Sequence, residues 1–223
     1  MTVRLVVQTV LWLFSLALVL FLAAGDPSWS AAWAFLMEMG ILSLAVGFWL
    51  AWRDPALLAE RMTAPWQKSQ PSWDRTFTIG LFMGFYVWLA VMAIDSQRLR
   101  LSAVPQPLHG VGLLAIAGAV CIAWMTFMAN RYAAPSVKIQ ADQTVSEQGP
   151  YALVRHPMYG GAIGFFVGVP LMLGSWVGLA IAPLFIAAMG WRALREERLL
   201  RQELPGYEDY AARVRYRFVP GVW

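Results

Sequence analysis

Long apolar runs separated by short polar segments constrain the fold of this chain more than any other feature. A helix that crosses a bilayer needs roughly 20 apolar residues. Runs close to that length, the last two shorter, occupy residues 5–24, 29–52, 77–94, 108–128, 159–173 and 176–191. The sequence therefore predicts an all-α integral membrane protein with about six transmembrane helices, the last two forming a helical hairpin around Gly174-Ser175.

Composition supports this class and excludes several others. Apolar residues make up 59% of the chain and charged residues only 13%, against about 25% charged in typical soluble domains. The net charge of +4 comes from basic residues that flank the apolar runs, so no nucleic-acid partner is expected. A single cysteine and two histidines exclude an internal disulfide and make a metal centre unexpected.

Basic residues are distributed unequally between the two sides of the predicted bundle. If the N-terminus lies inside, the outer connections carry only Arg98 and Arg100, and the other basic residues lie inside. Positive charge concentrates on the cytoplasmic side of membrane proteins. We therefore expect six spans with cytoplasmic N- and C-termini, and cytoplasmic helices after the hairpin.

Glu38 lies near the middle of the second apolar run. An ionised side chain at that depth costs roughly 2.5–3.5 kcal/mol. We expect Glu38 to face the bundle, to be protonated or to have a partner. A hydrogen bond to a neighbouring helix and a role in substrate recognition both remain open.

Glycines predict where helices approach one another. Gly80 and Gly84 form a Gly-x-x-x-Gly pair that favours close helix contact. Gly160, Gly164 and Gly168 lie on one face of the first hairpin arm. That face predicts either helix packing or a groove that admits a lipid chain.

The segment 147–160 concentrates the polar chemistry of the chain. It combines a Gly-Pro turn, a histidine and two tyrosines where a polar segment meets an apolar one. On the later helix, helical spacing places Glu197 on a packed face, where a carboxylate needs a partner. Arg201 and Arg213 are candidate partners, whereas Glu196 is expected to pair with Arg192 at the membrane surface. A carboxylate and tyrosine rings at a lipid boundary suit a cationic cofactor such as a sulfonium.

Several motifs in the last 90 or so residues resemble those of the isoprenylcysteine carboxyl methyltransferase family and the related phospholipid N-methyltransferases. The residues that carry the resemblance are Gly149-Pro150-Tyr151, Val154-Arg155-His156-Pro157-x-Tyr159, Glu196-Glu197, Gly206-Tyr207-x-x-Tyr210, Arg213-Val214 and Pro220-Gly221. The segment from Arg53 to Arg61 resembles one common in bacterial members, which implies a bacterial inner membrane.

The resemblance implies an S-adenosylmethionine-dependent membrane methyltransferase that acts on a lipophilic acceptor. It divides the chain into a lipid-facing bundle, 1–130, and a cofactor-binding region, 131–223. It assigns catalytic roles to Glu197, His156 and Arg213. The residues that it implies for cofactor binding are Gln140, Gly149, Pro150, Tyr151, Val154, Arg155, His156, Tyr159 and Glu197.

Two alternatives to this function are kept. The C-terminal pattern from Tyr207 to Gly221 also resembles that of membrane sterol reductases, which use NADPH. A non-catalytic membrane binding protein is the other alternative. The acceptor, a prenylcysteine-like carboxylate or a lipid amine, and the oligomeric state are both left open by the sequence.

Overall fold

The computed structural model describes residues 1–64, 67 and 70–223. Within that part of the chain there are eight α-helices and no β-strand. In chain order, α1 to α8 are Thr2–Ala24, Ser30–Arg53, Pro55–Arg61, Ser72–Ala93, Gln106–Ala129, Pro157–Leu173, Trp176–Glu203 and Tyr207–Arg213. A π-helical turn, Ile94–Arg98, extends α4, and a 3-10 turn, Gly149–Ala152, precedes α6.

Five of the described helices are long and apolar enough to cross a membrane: α1, α2, α4 with its π-helical extension, α5 and α7. Helix α6 has 17 residues, which at 1.5 Å per residue gives a length of about 25 Å. It forms the predicted hairpin with α7. The predicted all-α membrane fold with a C-terminal hairpin is therefore confirmed.

Short local signals set the ends of these helices. Gly25 and Gly174 end α1 and α6 in the left-handed conformation, with φ of 70° and 79°, which glycine adopts without steric cost. Ser175 then starts α7, because its Oγ accepts a hydrogen bond from the backbone N of Gly178 at 2.8 Å. Asp54 caps α3 in the same way through Leu57 N at 3.0 Å. A single turn therefore suffices between the two hairpin arms.

Helices α5 and α6 approach each other closely through glycines. A Cβ added to Gly112 would lie 2.5 Å from the backbone N of Met172, and one added to Gly168 would lie 2.7 Å from the carbonyl of Gly112. A Cβ on Gly164 would lie 3.3 Å from the carbonyl of Ala115. The glycine face of α6 is thus used for helix packing, the first of the two predicted uses.

The Gly80 and Gly84 pair behaves differently, and the close contact that it favours is not made with another helix of this chain; a contact between subunits stays a prediction. Among the described residues, no atom beyond the adjacent backbone of α4 lies within 4 Å of a Cβ built on Gly80, and one built on Gly84 meets only the Phe185 ring, at 3.8 Å. Helix α4 packs on α7 through large aromatic side chains such as Trp88 and Phe185, whose ring centroids lie 4.9 Å apart. These rings hold the two backbones apart.

Both carboxyl oxygens of Glu38 are buried and have no hydrogen-bond partner among the described residues. The predicted hydrogen bond to a neighbouring helix is therefore not found in this part of the chain. Protonation of Glu38 stays a prediction, since an isolated buried carboxylate is costly.

The start of α1 and the C-terminal region lie at the same end of the bundle. Arg4 and Gln8 donate side-chain hydrogen bonds to the carbonyl of Met62, at 3.2 and 3.4 Å. Arg61 in turn donates to the carbonyl of Ala133 at 2.9 Å. The guanidinium of Arg98 lies at the other end, near Gly25. The polar segments that flank α3, α6 and α8 consequently meet at one end of the bundle.

Candidate functional site

A cavity of about 310 Å³ opens at the end of the bundle that carries the N-terminus. Its wall is formed by the irregular segment 130–146, the start of α6, the C-terminal half of α7 and the tyrosines of α8. Its volume lies within the range of roughly 300–1,000 Å³ that small-molecule sites occupy. We call it the first cavity.

A buried ion pair fixes one side of the first cavity. Arg192 on α7 donates from Nε to Asp74 Oδ1 at 2.8 Å, and Asp74 is completely buried. Asp74 Oδ2 also accepts from the backbone N of Val137 at 2.8 Å, while Arg192 Nη2 donates to the carbonyl of Pro135 at 2.9 Å. The pair thus ties α4 and α7 to the irregular segment. The predicted pairing of Arg192 with Glu196 is replaced by this one, because Asp74 lies directly against the guanidinium.

Glu197 lies behind the wall, where one of its oxygens accepts hydrogen bonds from two arginines and contacts the imidazole of His156. Its Oε1 is 2.8 Å from Arg155 Nε, 3.2 Å from His156 Nε2 and 3.1 Å from Arg217 Nε. Arg155 Nη1 also donates to the carbonyls of Val214 and Arg215, at 2.7 and 2.9 Å. Glu197 therefore joins α6, α7 and the C-terminal tail.

Glu196, the adjacent residue, lines the first cavity. Its Oε2 accepts a hydrogen bond from the Tyr159 hydroxyl at 2.7 Å. It is the only acidic side chain in the described wall of the first cavity. Glu196 is therefore the carboxylate that a cationic group of a ligand in this cavity would contact.

Aromatic rings stack next to this carboxylate. The rings of His156 and Tyr159 are parallel within 2°, with centroids 5.3 Å apart, and Phe218 packs edge-on against both. Gly160 permits this arrangement, since a Cβ there would lie 2.5 Å from the carbonyl of Phe218. The C-terminal tail thus holds the two rings in place from behind.

Two polar atoms in the wall lack a protein partner among the described residues. The hydroxyls of Ser136 and Tyr207 are buried and make no hydrogen bond there. Burial, with Glu197 and Glu196 nearby, raises the pKa of Tyr207, and burial raises the pKa of Tyr151 to about 12. Both phenols are therefore neutral at physiological pH. An unpaired buried hydroxyl is costly, so these two atoms are suited to contact a polar ligand.

The residues that the resemblance assigned to the site fall into three groups. Tyr151, Arg155, His156 and Tyr159 line the first cavity. A second group lies outside the described wall of this cavity: Gln140, Gly149, Pro150, Val154 and Glu197.

The third group is Arg213, whose exposed side chain binds Glu147 at 2.6 Å. Some residues behind the wall shape it: Gln140, for example, donates from Nε2 to the carbonyl of Tyr132 at 2.9 Å and so fixes the irregular segment. Gly149 has a φ of 58° and begins the turn that presents Tyr151.

Three wall features were missed by the sequence reasoning. Ser136 and the Asp74–Arg192 pair were not singled out, and Glu196 was expected at the membrane surface. The position of Asp74 could have marked it as a candidate, since it follows a polar segment and lies in the first turn of an apolar helix. No such signal marked Ser136, because its isolation depends on the packing around it.

Comparison with known proteins gives a match to one protein family. The family model described as phospholipid methyltransferase matches residues 107–205. That region contains α5 except for its first residue, the irregular segment, α6 and the whole of α7. The match confirms the resemblance to membrane methyltransferases and supports that function, and nothing in it supports the reductase alternative.

One solved structure is similar to this chain over most of its length. It is the eukaryotic intramembrane Ras methyltransferase, isoprenylcysteine carboxyl methyltransferase, with 19% sequence identity and a TM-score of 0.44. The alignment covers 98% of this chain and 87% of that chain. A comparison with curated proteins found no match.

Proposed function

We propose that this protein is an integral membrane methyltransferase that uses S-adenosylmethionine, bound in the first cavity, and methylates a lipophilic acceptor. The observation that carries the proposal is the position of Glu196. Its carboxylate, held by Tyr159 at 2.7 Å, is the one acidic group in the described wall, and it lies within the matched region.

The wall fits the chemical groups of this cofactor. A sulfonium and an ammonium group both favour a carboxylate and the face of an aromatic ring, which Glu196 and Tyr159 supply. The unpaired hydroxyls of Ser136 and Tyr207 suit ribose or adenine atoms. Lys138 and Arg155 also line this wall, where they pair with Glu60 and Glu197.

Bound there, the cofactor supplies a methyl group on a positively charged sulfur, and that charge is lost as the methyl is transferred. The protein's contribution is to position the reactants, which in well-aligned cases lowers a barrier by roughly 7–11 kcal/mol. Tyr159 holds Glu196 in one rotamer, and Glu197 holds His156 through Nε2 at 3.2 Å. In this proposal the contact with Glu197 orients the His156 ring, and Glu196 takes the cofactor-binding role that the resemblance gave to Glu197.

The remaining predicted residues receive indirect roles in the proposal. Gly149, Pro150 and Val154 shape the turn that presents Tyr151, and Gln140 fixes the irregular segment. Arg213 holds Glu147 at the surface and is assigned no contact with the reacting groups. The division into 1–130 and 131–223 stays a prediction, although α5 of the first part packs along α6 of the second.

The first cavity is placed on the cytoplasmic side in this proposal. Most basic residues lie at the end of the bundle that carries it, whereas Arg98 lies at the opposite end. The positive-inside rule then assigns the cavity end to the cytoplasm, where the cofactor is available.

Calorimetry on the purified protein in detergent tests the proposal. We expect S-adenosylmethionine and S-adenosylhomocysteine to bind the wild-type protein, and Glu196→Gln to weaken binding of the charged S-adenosylmethionine more than that of the neutral-sulfur product. Asp209→Asn, a change of an exposed acid on α8, is the matched control. A folded wild-type protein that binds neither compound, or that binds NADPH instead, contradicts the proposal.

A further inference from the structure

A groove of about 430 Å³ lies between α4 and α7 on the outer surface of the bundle. Its described wall consists of Ser72, Trp73, Thr76, Phe77 and Trp191. The neighbours of this wall in the chain include Asp74 and Arg192, the ion pair at the side of the first cavity. The groove therefore lies at the same end of the bundle as the first cavity, but it opens outward. We call it the aromatic groove.

Aromatic rings form most of this wall. Trp191 packs edge-on against Trp73, with centroids 5.6 Å apart, and stacks on Phe77 at 5.5 Å. Tryptophan is enriched where the hydrocarbon of a bilayer meets the lipid headgroups. The two tryptophans thus place the aromatic groove at the depth of the headgroups, with an apolar lining on its membrane side.

The guanidinium of Arg195 lies over these rings. Its Cζ is 5.1 Å from the ring centroid of Trp191 and 6.0 Å from that of Trp73. Arg195 is exposed, and within the described parts of the chain no carboxylate lies within 4 Å of it. Arg192, three residues earlier, is by contrast paired with Asp74. A guanidinium presents five N–H donors in a planar fork that matches a phosphate.

Deeper in the membrane, the boundary between α4 and α7 stays open at Gly80. Phe77 before it and Gly84 after it both face α7, and helical spacing puts Gly80 on the same face. Gly80 is exposed, and among the described residues nothing outside the adjacent backbone of α4 lies within 4 Å of a Cβ built there. We call this boundary the seam. It has space for a hydrocarbon chain that lies against the helices.

The cation, the rings and the seam follow one another in the order of the parts of a phospholipid. Arg195 lies four residues beyond Trp191, and Gly84 lies eleven residues beyond Trp73. At 1.5 Å per residue these distances are about 6 and 16 Å. Half of a hydrocarbon core of about 30 Å is about 15 Å thick. The seam is therefore as long as one leaflet is deep, and the positive charge lies at its headgroup end.

We propose that the aromatic groove and the seam bind one anionic phospholipid of the adjacent leaflet, with its phosphate on Arg195 and one acyl chain along Gly80. Basic sites between membrane helices select anionic headgroups. A zwitterionic lipid is less favoured, because the described wall contains no acid that would hold its ammonium group and Arg195 already lies over two of the rings. The inference goes beyond the proposed function and does not depend on it.

Native mass spectrometry in detergent, with phosphatidylglycerol or phosphatidylcholine of identical chains added, tests the headgroup contact. We expect one phosphatidylglycerol per monomer, bound more tightly than phosphatidylcholine. Arg195→Gln should weaken phosphatidylglycerol binding by about tenfold or more, since a charge-assisted hydrogen bond is lost, and Arg195→Lys should retain part of it. Arg53→Gln removes an exposed arginine at the same end of the bundle, on α2, and should bind as the wild-type protein does. Equal binding of the two lipids, or equal losses in the two glutamine variants, overturns the inference.

A pair of glycine variants tests the seam. Gly80→Leu fills it, so we expect weaker phosphatidylglycerol binding. Gly118→Leu adds the same side chain at an exposed position of α5 where a Cβ likewise meets nothing within 4 Å among the described residues, and it should leave binding unchanged. Unchanged binding in Gly80→Leu overturns the acyl-chain placement. A lipid-free dimer that Gly80→Leu dissociates shows that a second copy occupies the seam, and this also overturns the inference.

Thermal unfolding gives an independent readout. A ligand that binds only the folded state stabilises it, so phosphatidylglycerol should raise the unfolding temperature of the wild-type protein and of Arg53→Gln, but not that of Arg195→Gln. None of these measurements needs a methyl donor. Failure to bind either adenosyl compound therefore removes the proposed function alone, whereas loss of the lipid preference removes only the lipid site.

Discussion

Glu196 and Glu197 are neighbours on α7, yet their carboxylates serve different parts of the molecule. Glu196 lines the first cavity and accepts a hydrogen bond from Tyr159, whereas Glu197 is buried behind the wall among Arg155, His156 and Arg217. One acid is therefore available to a ligand and the other is committed to the fold. This separation gives the clearest test of the site.

Glu197→Gln is expected to destabilise the protein more than Glu196→Gln does. The change leaves Arg155 and Arg217 without their shared anion, and breaking a buried ion pair in this way costs about 3–5 kcal/mol. Thermal unfolding in detergent measures the effect. Equal losses of stability in the two variants contradict the assignment of separate roles.

Tyr159→Phe is expected to lower methyl-donor affinity while the fold is retained. The hydroxyl that holds Glu196 at 2.7 Å is lost, and a hydrogen bond to a charged group contributes about 1.5–3 kcal/mol. Calorimetric titration with S-adenosylmethionine measures the change. Tyr216→Phe, at a residue that is 40% exposed, is the matched control and should bind normally.

Asp74→Asn is expected to lower both stability and cofactor affinity. Arg192 would lose its carboxylate partner, and the backbone N of Val137 would face a weaker acceptor, so the irregular segment would be less firmly held. A double-mutant cycle of Asp74→Asn with Arg192→Gln, followed by thermal unfolding, measures the coupling. Additive effects would show that the two side chains act independently, contrary to the contact observed.

Gly160→Ala is expected to disturb the site, because the new methyl group would lie 2.5 Å from the carbonyl of Phe218. The tail would have to move, and the packing of Phe218 on His156 and Tyr159 would be lost with it. Gly80→Ala provides a control in open space, where replacing glycine in a helix is favourable by about 1 kcal/mol. We expect lower cofactor affinity for the first variant only, measured by calorimetry.

The sequence predicted the helices well because their limits depend on local features. Apolar runs and glycine or proline turns located each of the long helices, and Gly174-Ser175 located the hairpin. The surroundings of each carboxylate were predicted less well than the helices. Helical spacing placed Glu197 on a packed face correctly. It is buried there by packing against Arg155, Arg217 and His156, not against a ligand.

Contacts between distant segments were the least predictable part of the site. Arg192 has an acid four residues away on its own helix, yet it binds Asp74, 118 positions away in the chain. The Gly80 and Gly84 spacing favoured close packing, but aromatic side chains of α4 and α7 decided the distance between them. Such outcomes depend on tertiary neighbours, which local periodicity does not contain.

The Asp74–Arg192 pair also has a consequence for biogenesis. Synthesis proceeds from the N-terminus, so α4 leaves the ribosome well before α7 carries the matching guanidinium. During that interval the carboxyl of Asp74 has to stay hydrated or protonated at the membrane surface. Docking of the last hairpin is therefore the step that gives the carboxylate of Asp74 its partner, Arg192.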